Sequence, residues 1–175
     1  MAEDQPIRPR VVLASIPFFA EVLDGEEIDI LGGRVAPLSF PAGELLIRED
    51  ESGDSLFVIV SGEVDVSVAG GDSGAARWLA RLGPDDIVGE MSLMTGARRS
   101  ATVTAATPVI AFEVTKAAIE PILNAAPALV ERFAAVLERR QAELDRLYGQ
   151  GKWSLFGLTR RDLVMAMQAF FSGTI

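Results

Sequence analysis

The sequence predicts an α+β domain, in which short antiparallel strands form a sandwich or roll between helical segments at both ends. Three observations predict this. Between Val35 and Val114 the apolar pattern shifts toward a period of two, and turn residues interrupt it at regular intervals. Short strands so spaced belong to a sandwich or roll, not to strands alternating with long helices. Outside that stretch the apolar spacing is that of one helix face. Finally, 49% of the 175 residues are hydrophobic, enough for one domain with a real core and a short extension.

Taken in order, Val11, Val12, Leu13, Ile16, Phe18 and Phe19 gather around Pro17. They predict a short helix over 10–20 that breaks near Ser15, because proline cannot continue a helix and restricts the residue before it. Asp24 is placed to cap a second helix, with Glu26 and Glu27 in its first turn and Ile28, Ile30 and Leu31 following. Gly32 and Gly33 end it. Strands are predicted over 35–40, 44–48, 55–60, 63–68, 76–82, 100–106 and 109–114. The connections, such as Pro41-Ala42-Gly43, Ser61-Gly62, Gly70 to Gly74 and Gly83-Pro84, are rich in residues that preset or permit turn dihedrals. An amphipathic helix follows over 116–124. Pro127 then suits the first position of a longer one, whose Leu129, Val130, Phe133, Val136, Leu137, Leu144 and Leu147 recur at helical spacing. Gly149 and Gly151 end it. Within 153–175, Thr159 can cap a last helix over 160–171, with Asp162 in the place usually held by Glu or Gln. Leu163, Val164, Met167, Phe170 and Phe171 give that helix an apolar face, to be covered by the domain itself, another subunit or a partner.

The composition removes whole classes of function. A net charge of −9 argues against a nucleic-acid face, which needs clustered Lys and Arg. The absence of cysteine and histidine removes disulfides, thiol nucleophiles, serine triads of the usual kind and typical zinc sites. There is no P-loop and no G-x-G-x-x-G, and the acidic turn over 49–54 lacks EF-hand spacing. We expect no catalysis and no metal. Residues 1–10 have no apolar h-region, and no run reaches about 18 apolar residues, so no direct membrane insertion is expected. A chain without cysteine fits the cytoplasm, or the cytosolic side of a membrane protein.

What remains is the stretch from Ile87 to Val103. It reads as a strand end, Gly89, one short helical turn from Glu90, Gly96, the pair Arg98-Arg99 and a new strand. The first N–H groups of a helix lack internal partners and attract an anion. Gly89 lets that anion approach the backbone, and an arginine adds a planar fork of donors suited to phosphate. Glu90 is an acceptor for hydroxyl groups that would repel bare phosphate. Donors for an anion beside an acceptor for hydroxyls point to a sugar phosphate. Taken singly, each of these residues reads as an ordinary turn glycine, helix-start acid or exposed base; jointly they read as a site.

Gly89-Glu90-Met91-Ser92-Leu93 followed by Arg99-Ser100-Ala101-Thr102-Val103, with glutamate and arginine nine positions apart, resembles the phosphate-binding cassette of cyclic nucleotide-binding domains. Pro41-Ala42-Gly43-Glu44 and the stretch from Gly53 to Val64 resemble the β-roll of the same family. The resemblance implies a β-roll of jelly-roll type over 35–114 within a domain over 8–149. Helices over 115–149 and an extension with one helix over 150–175 complete the expected organisation. It implies that Glu90 holds the ribose 2′-hydroxyl and that Arg99 with the helical N–H groups holds the cyclic phosphate. Arg98 stands where the family usually has proline. The candidate ligand-binding residues are Val88, Gly89, Glu90, Met91, Ser92, Arg98, Arg99, Ser100, Ala101 and Val103. Met91 and Val103 are expected to line the pocket, with Leu93 and Met94 in the core. Ser92 can bond the phosphate or only its own helix.

The implied ligand is cAMP or cGMP, and Ser100 after the arginine leaves cAMP preferred with cGMP open. In the family the C-terminal helix closes over the base and moves. Arg139, Arg140, Arg146 and Tyr148 are candidates to meet the base, against the plainer reading of a packed helix with a solvated charged face. The implied role is a regulatory domain attached to a channel or other effector, able to self-associate through its C-terminal helices. The alternatives are a catabolite-activator-type transcription regulator, for which no helix-turn-helix follows here, and a degenerate domain that keeps the fold without the ligand.

Overall fold

Two prolines open the N-terminal helices. The computed structural model describes residues 6–70, 74–149 and 158–172. Within them, α1 (Pro9–Ala14) and α2 (Pro17–Ala20) each start with proline, where the missing N–H has no helical partner to lose. The break expected near Ser15 is present, and Pro17 begins a new helix after it. In α3 (Gly25–Gly32) the Asp24 carboxylate accepts from the Glu27 amide at 2.8 Å. The Glu27 carboxylate accepts from the Asp24 amide at 2.9 Å, a reciprocal cap.

Eight strands follow among the described residues: β1 (Pro37–Phe40), β2 (Leu45–Ile47), β3 (Ser55–Ser61), β4 (Val64–Val68), β5 (Arg77–Leu82), β6 (Ile87–Val88), β7 (Thr102–Ala105) and β8 (Val109–Thr115). They make two antiparallel sheets, ordered β1-β8-β3-β6 and β2-β7-β4-β5. The pairing of β3 with β8 shows how a strand can be apolar throughout. Leu56 faces Val114 and Val58 faces Phe112, and all four join the core beneath the helices. Phe57 and Ile59 point the other way, into a second core shared with Ile47, Val64, Val88, Val103 and Ala111 between the sheets. A strand buried on both faces loses the alternation that an exposed face would impose.

The short helix α4 (Glu90–Thr95) interrupts the roll between β6 and β7. Thr115 caps α5 (Lys116–Ala125) by accepting from the Ala118 amide. Pro127 is the residue just before α6 (Ala128–Tyr148), not its first helical position. Phe133, Ala134 and Leu137 anchor α6 in the helical core. Finally, α7 (Arg160–Ser172) folds back against α4, α5 and α6, with Leu163, Val164, Met167 and Phe171 buried. The apolar face of this last helix is thus covered by its own domain. Gly151 and the centre of the turn from Gly70 to Gly74 lie outside the described residues. Among the described residues no helix is long and apolar enough to cross a membrane.

Candidate functional site

Glycine geometry builds the turn into α4. Gly89 has φ +90, a conformation that side-chain-bearing residues rarely adopt. A Cβ on it would lie 2.6 Å from Arg99 Nη1 and 3.0 Å from the Ser55 carbonyl oxygen. Gly96 closes α4 at φ +73. The chain then returns through residues 97–101 to β7, which brings Arg99 back beside Gly89.

Arg99 is 8% exposed. Its Nη1 donates to the Ser55 carbonyl and, at 3.4 Å, to the Gly89 carbonyl; its Nη2 donates to Ser55 Oγ at 3.0 Å. Ser55 Oγ donates in turn to Glu113 Oε2 at 3.1 Å. The guanidinium packs against Gly53, whose missing Cβ makes the room. Burial pushes its pKa below the ordinary arginine value, while Glu113 and Asp54 at longer range oppose that shift. Guanidinium stays charged regardless. Among the described residues Arg99 makes no ion pair, and these three bonds leave two of its five N–H groups for another acceptor. A buried cation with neutral partners only is unfavourable unless an anion completes it.

Glu90 is 5% exposed. Its Oε1 accepts from Arg140 Nε and, at 3.4 Å, from Gln141 Nε2, both on α6. Arg140 Nη2 also donates to the Ile87 carbonyl at 2.8 Å. No described residue donates to Oε2. The carboxylate is therefore held from one side and left with an open acceptor on the other.

These groups share a cavity of about 130 Å³, roughly ten times what one water needs. Of the candidate residues, Val88, Gly89, Glu90, Met91, Ser92, Arg99, Ser100, Ala101 and Val103 line it. Arg98 does not. It reaches outward, and its Nη1 donates to the Asp50 carbonyl at 2.8 Å. The neighbouring Arg99 turns instead to Ser55, so the two arginines of the pair go to different partners and only one of them faces the cavity. Ile47, Val66, Leu79, Ala80 and Leu82 form the apolar wall from the strands. From α6 come Arg140, Gln141, Leu144 and Tyr148. Of the four α6 residues singled out in the sequence, Arg139 and Arg146 are not on this cavity. Arg139 pairs with Glu21 and Arg146 with Glu143. Gln141 and Leu144 were missed. The spacing of Arg140, Leu144 and Tyr148 by four marks one helix face and was the available signal.

Residues 37–126 match the family described as Cyclic nucleotide-binding domain, just over half of the chain. The chain belongs to this family. The cyclic nucleotide-binding domain is 31% identical over 129 residues to a CRP-like cAMP-activated global transcriptional regulator of Mycobacterium tuberculosis, covering 74% of this chain and 57% of that one. It is 33% identical over 137 residues to a cyclic nucleotide-gated potassium channel of Mesorhizobium japonicum, covering 78% of this chain and 36% of the channel. Among solved structures, the N-terminal domain of a transcriptional regulator from Streptomyces coelicolor superimposes with a TM-score of 0.64 at 30% identity, covering 77% of this chain and 93% of that one. This domain thus spans little more than half the length of the first relative and about a third of the second. The family match ends at residue 126, so the residues that α6 contributes to the cavity lie beyond it.

Proposed function

We propose that this domain binds a 3′,5′-cyclic nucleotide intact, cAMP in preference to cGMP, and signals its presence through α6. The observation that carries the reading is Arg99, a buried guanidinium without an ion pair among the described residues, on the wall of a cavity that also holds Glu90. The cyclic phosphate completes the charge of Arg99, and the ribose 2′-hydroxyl donates to Glu90 Oε2. Val88, Gly89, Met91, Ser92, Ser100, Ala101 and Val103 shape the walls around the phosphate and sugar. The base then lies toward Leu144 and Tyr148, so that α6 is part of the binding surface. A ligand that contacts one placement of α6 better than another shifts the population between them.

The domain acts as a regulatory module in the cytoplasm, without metal or nucleic-acid ligand, and α6 passes the signal to a channel or other effector. Leu147, 54% exposed near the end of α6, offers a surface for self-association. Calorimetric titration with cAMP and cGMP tests the reading. Replacing Arg99 by alanine should weaken binding about 10- to 100-fold, about 1.5–3 kcal/mol, the range for hydrogen bonds to charged groups. Unchanged affinity in a folded Arg99→Ala protein would remove Arg99 from the ligand site.

A further inference from the structure

Helix α7 packs against α4, α5 and α6 at once. Its Leu163, Val164, Met167 and Phe171 share one core with Leu93 and Met94 of α4 and with Phe133 and Leu137 of α6. Near one end Phe170 lies over Gly96, where an added Cβ would come within 2.6 Å of its ring, and Lys116 Nζ sits 4.5 Å from the ring centroid. At the other end Arg160 donates through Nε and Nη2 to the two carboxylate oxygens of Glu138, each at 3.3 Å. Gly96 closes α4, the helix that carries Glu90, Met91 and Ser92 on the cavity wall. Glu138 belongs to α6, the helix whose Arg140 bonds Glu90. No residue of α7 lines the cavity, and α7 lies beyond the family match.

A six-residue helix such as α4 does not hold itself, since helices shorter than about 12–15 residues are marginal in water. Its place is set by what it leans on. The α7 that braces α4 also grips α6, so a change in the spacing of α4 and α6 must break contacts of α7 on one side or the other. Close-packed interiors transmit such a strain and do not stretch to absorb it. The apolar contacts carry most of this grip, because the Arg160–Glu138 pair is about half exposed and adds little.

We propose that α7 is a strap coupled to the ligand site: it holds α4 and α6 in the arrangement that forms the cavity, so that nucleotide binding and α7 docking reinforce each other. The proposal rests on the cyclic-nucleotide reading and adds a second responsive element to it. A nucleotide that touches both α4 and α6 binds best the arrangement in which α7 is docked. Linkage then makes the coupling equal in both directions.

Two measurements on the whole chain test this. In the first, amide hydrogen exchange is followed with and without saturating cAMP. The amides of α7 should slow by about fivefold or more beyond those of α1, which also lines no part of the cavity. In the second, calorimetric titration should show Phe170→Ala binding cAMP about fivefold or more weakly than the native protein. Ile28→Ala, which empties a buried position in α3, separates coupling from mere loss of stability. It should leave cAMP affinity within about twofold of native, as expected for distant, independent sites. The exchange measurement needs no variant and decides the matter if Phe170→Ala does not fold. Equal slowing of α7 and α1, native affinity in a folded Phe170→Ala protein, or the same weakening in Ile28→Ala overturns the strap and leaves the cyclic-nucleotide reading in place. No heat of binding and no change in exchange with cAMP in the native protein overturns that reading and the strap with it.

Discussion

Arg140 donates through Nε to the buried carboxylate of Glu90. The two residues are 50 positions apart, and Nη2 of the same guanidinium donates to the Ile87 carbonyl at 2.8 Å. One side chain of α6 thus ties that helix to both sides of the turn at Gly89. Removing it leaves Glu90 buried with only the long contact from Gln141. Arg140→Leu is expected to lose about 1–2 kcal/mol in urea denaturation, the low end for a charged pair because the Arg140 side chain is 33% exposed. It should also speed amide hydrogen exchange in the second half of α6. Arg140→Lys should recover only part, since one ammonium cannot reproduce the fork that reaches two acceptors. Denaturation and exchange indistinguishable from the native protein would show that the pair holds nothing.

Glu90→Gln keeps the shape of the side chain and removes its charge. If Oε2 accepts from the ribose, the native protein should bind cAMP about tenfold tighter than 2′-deoxy cAMP. The glutamine variant should lose most of that difference. A variant that still strongly disfavours the deoxy nucleotide would take the sugar away from Glu90.

The turn-and-arginine side of this cavity was legible in the sequence because it is local. Gly89, Glu90, Ser100 and Ala101 come together through one short helix and one return of the chain. Their spacing encodes the geometry. The strands were legible for a similar reason, since each is bounded by its own turn residues. The family spacing already favoured Arg99 over Arg98; what it did not show is that Ser55, 44 residues earlier, holds the Arg99 guanidinium. The part of α6 was legible only in outline: Arg140 and Tyr148 were among the candidates and line the cavity, whereas Gln141 and Leu144 were not foreseen. Helical periodicity shows that Arg140 and Gln141 fall on or near the buried side. It does not show that the partner across the gap is Glu90, because that depends on where a 21-residue helix crosses the roll. The sequence left open what covers α7. The answer lay in long-range packing: Phe170 fills the space left by the missing side chain of Gly96.

That packing gives a prediction of its own. A Cβ on Gly96 would lie 2.6 Å from a ring carbon of Phe170, and the residue has φ +73. Gly96→Ala should cost about 1–3 kcal/mol through backbone strain and the displaced ring. In a Phe170→Ala background the same substitution should cost less, by about 0.5 kcal/mol or more, because residues in contact do not act additively. Denaturation of the four proteins in this cycle measures the coupling. Strict additivity would mean that α7 does not rest on α4.

Acid should loosen α7. The Asp162 carboxylate accepts from the Thr159 amide and from the Thr159 hydroxyl, each at 2.9 Å, and these bonds hold its pKa below the ordinary aspartate value. With the folded pKa depressed, the stabilisation is fully present above the unfolded value, about 3.9. It is lost as pH falls through the lower folded value. Hydrogen exchange at the start of α7 should therefore gain protection between pH 3 and pH 5 beyond the intrinsic rate change. Asp162→Asn should be flat over that range. Equal acid sensitivity in the asparagine protein would place the effect on other carboxylates.

The central claim is that Arg99 and Glu90 grip one cyclic nucleotide between the turn into α4 and helix α6. A crystal structure of the whole chain grown with cAMP tests it most directly. The account predicts the phosphate oxygens within hydrogen-bond reach of Arg99 and the turn at Gly89, and the 2′-hydroxyl on Glu90. A structure at saturating cAMP in which Arg99 still donates only to Ser55 and Gly89, with the nucleotide absent or seated elsewhere, would contradict it.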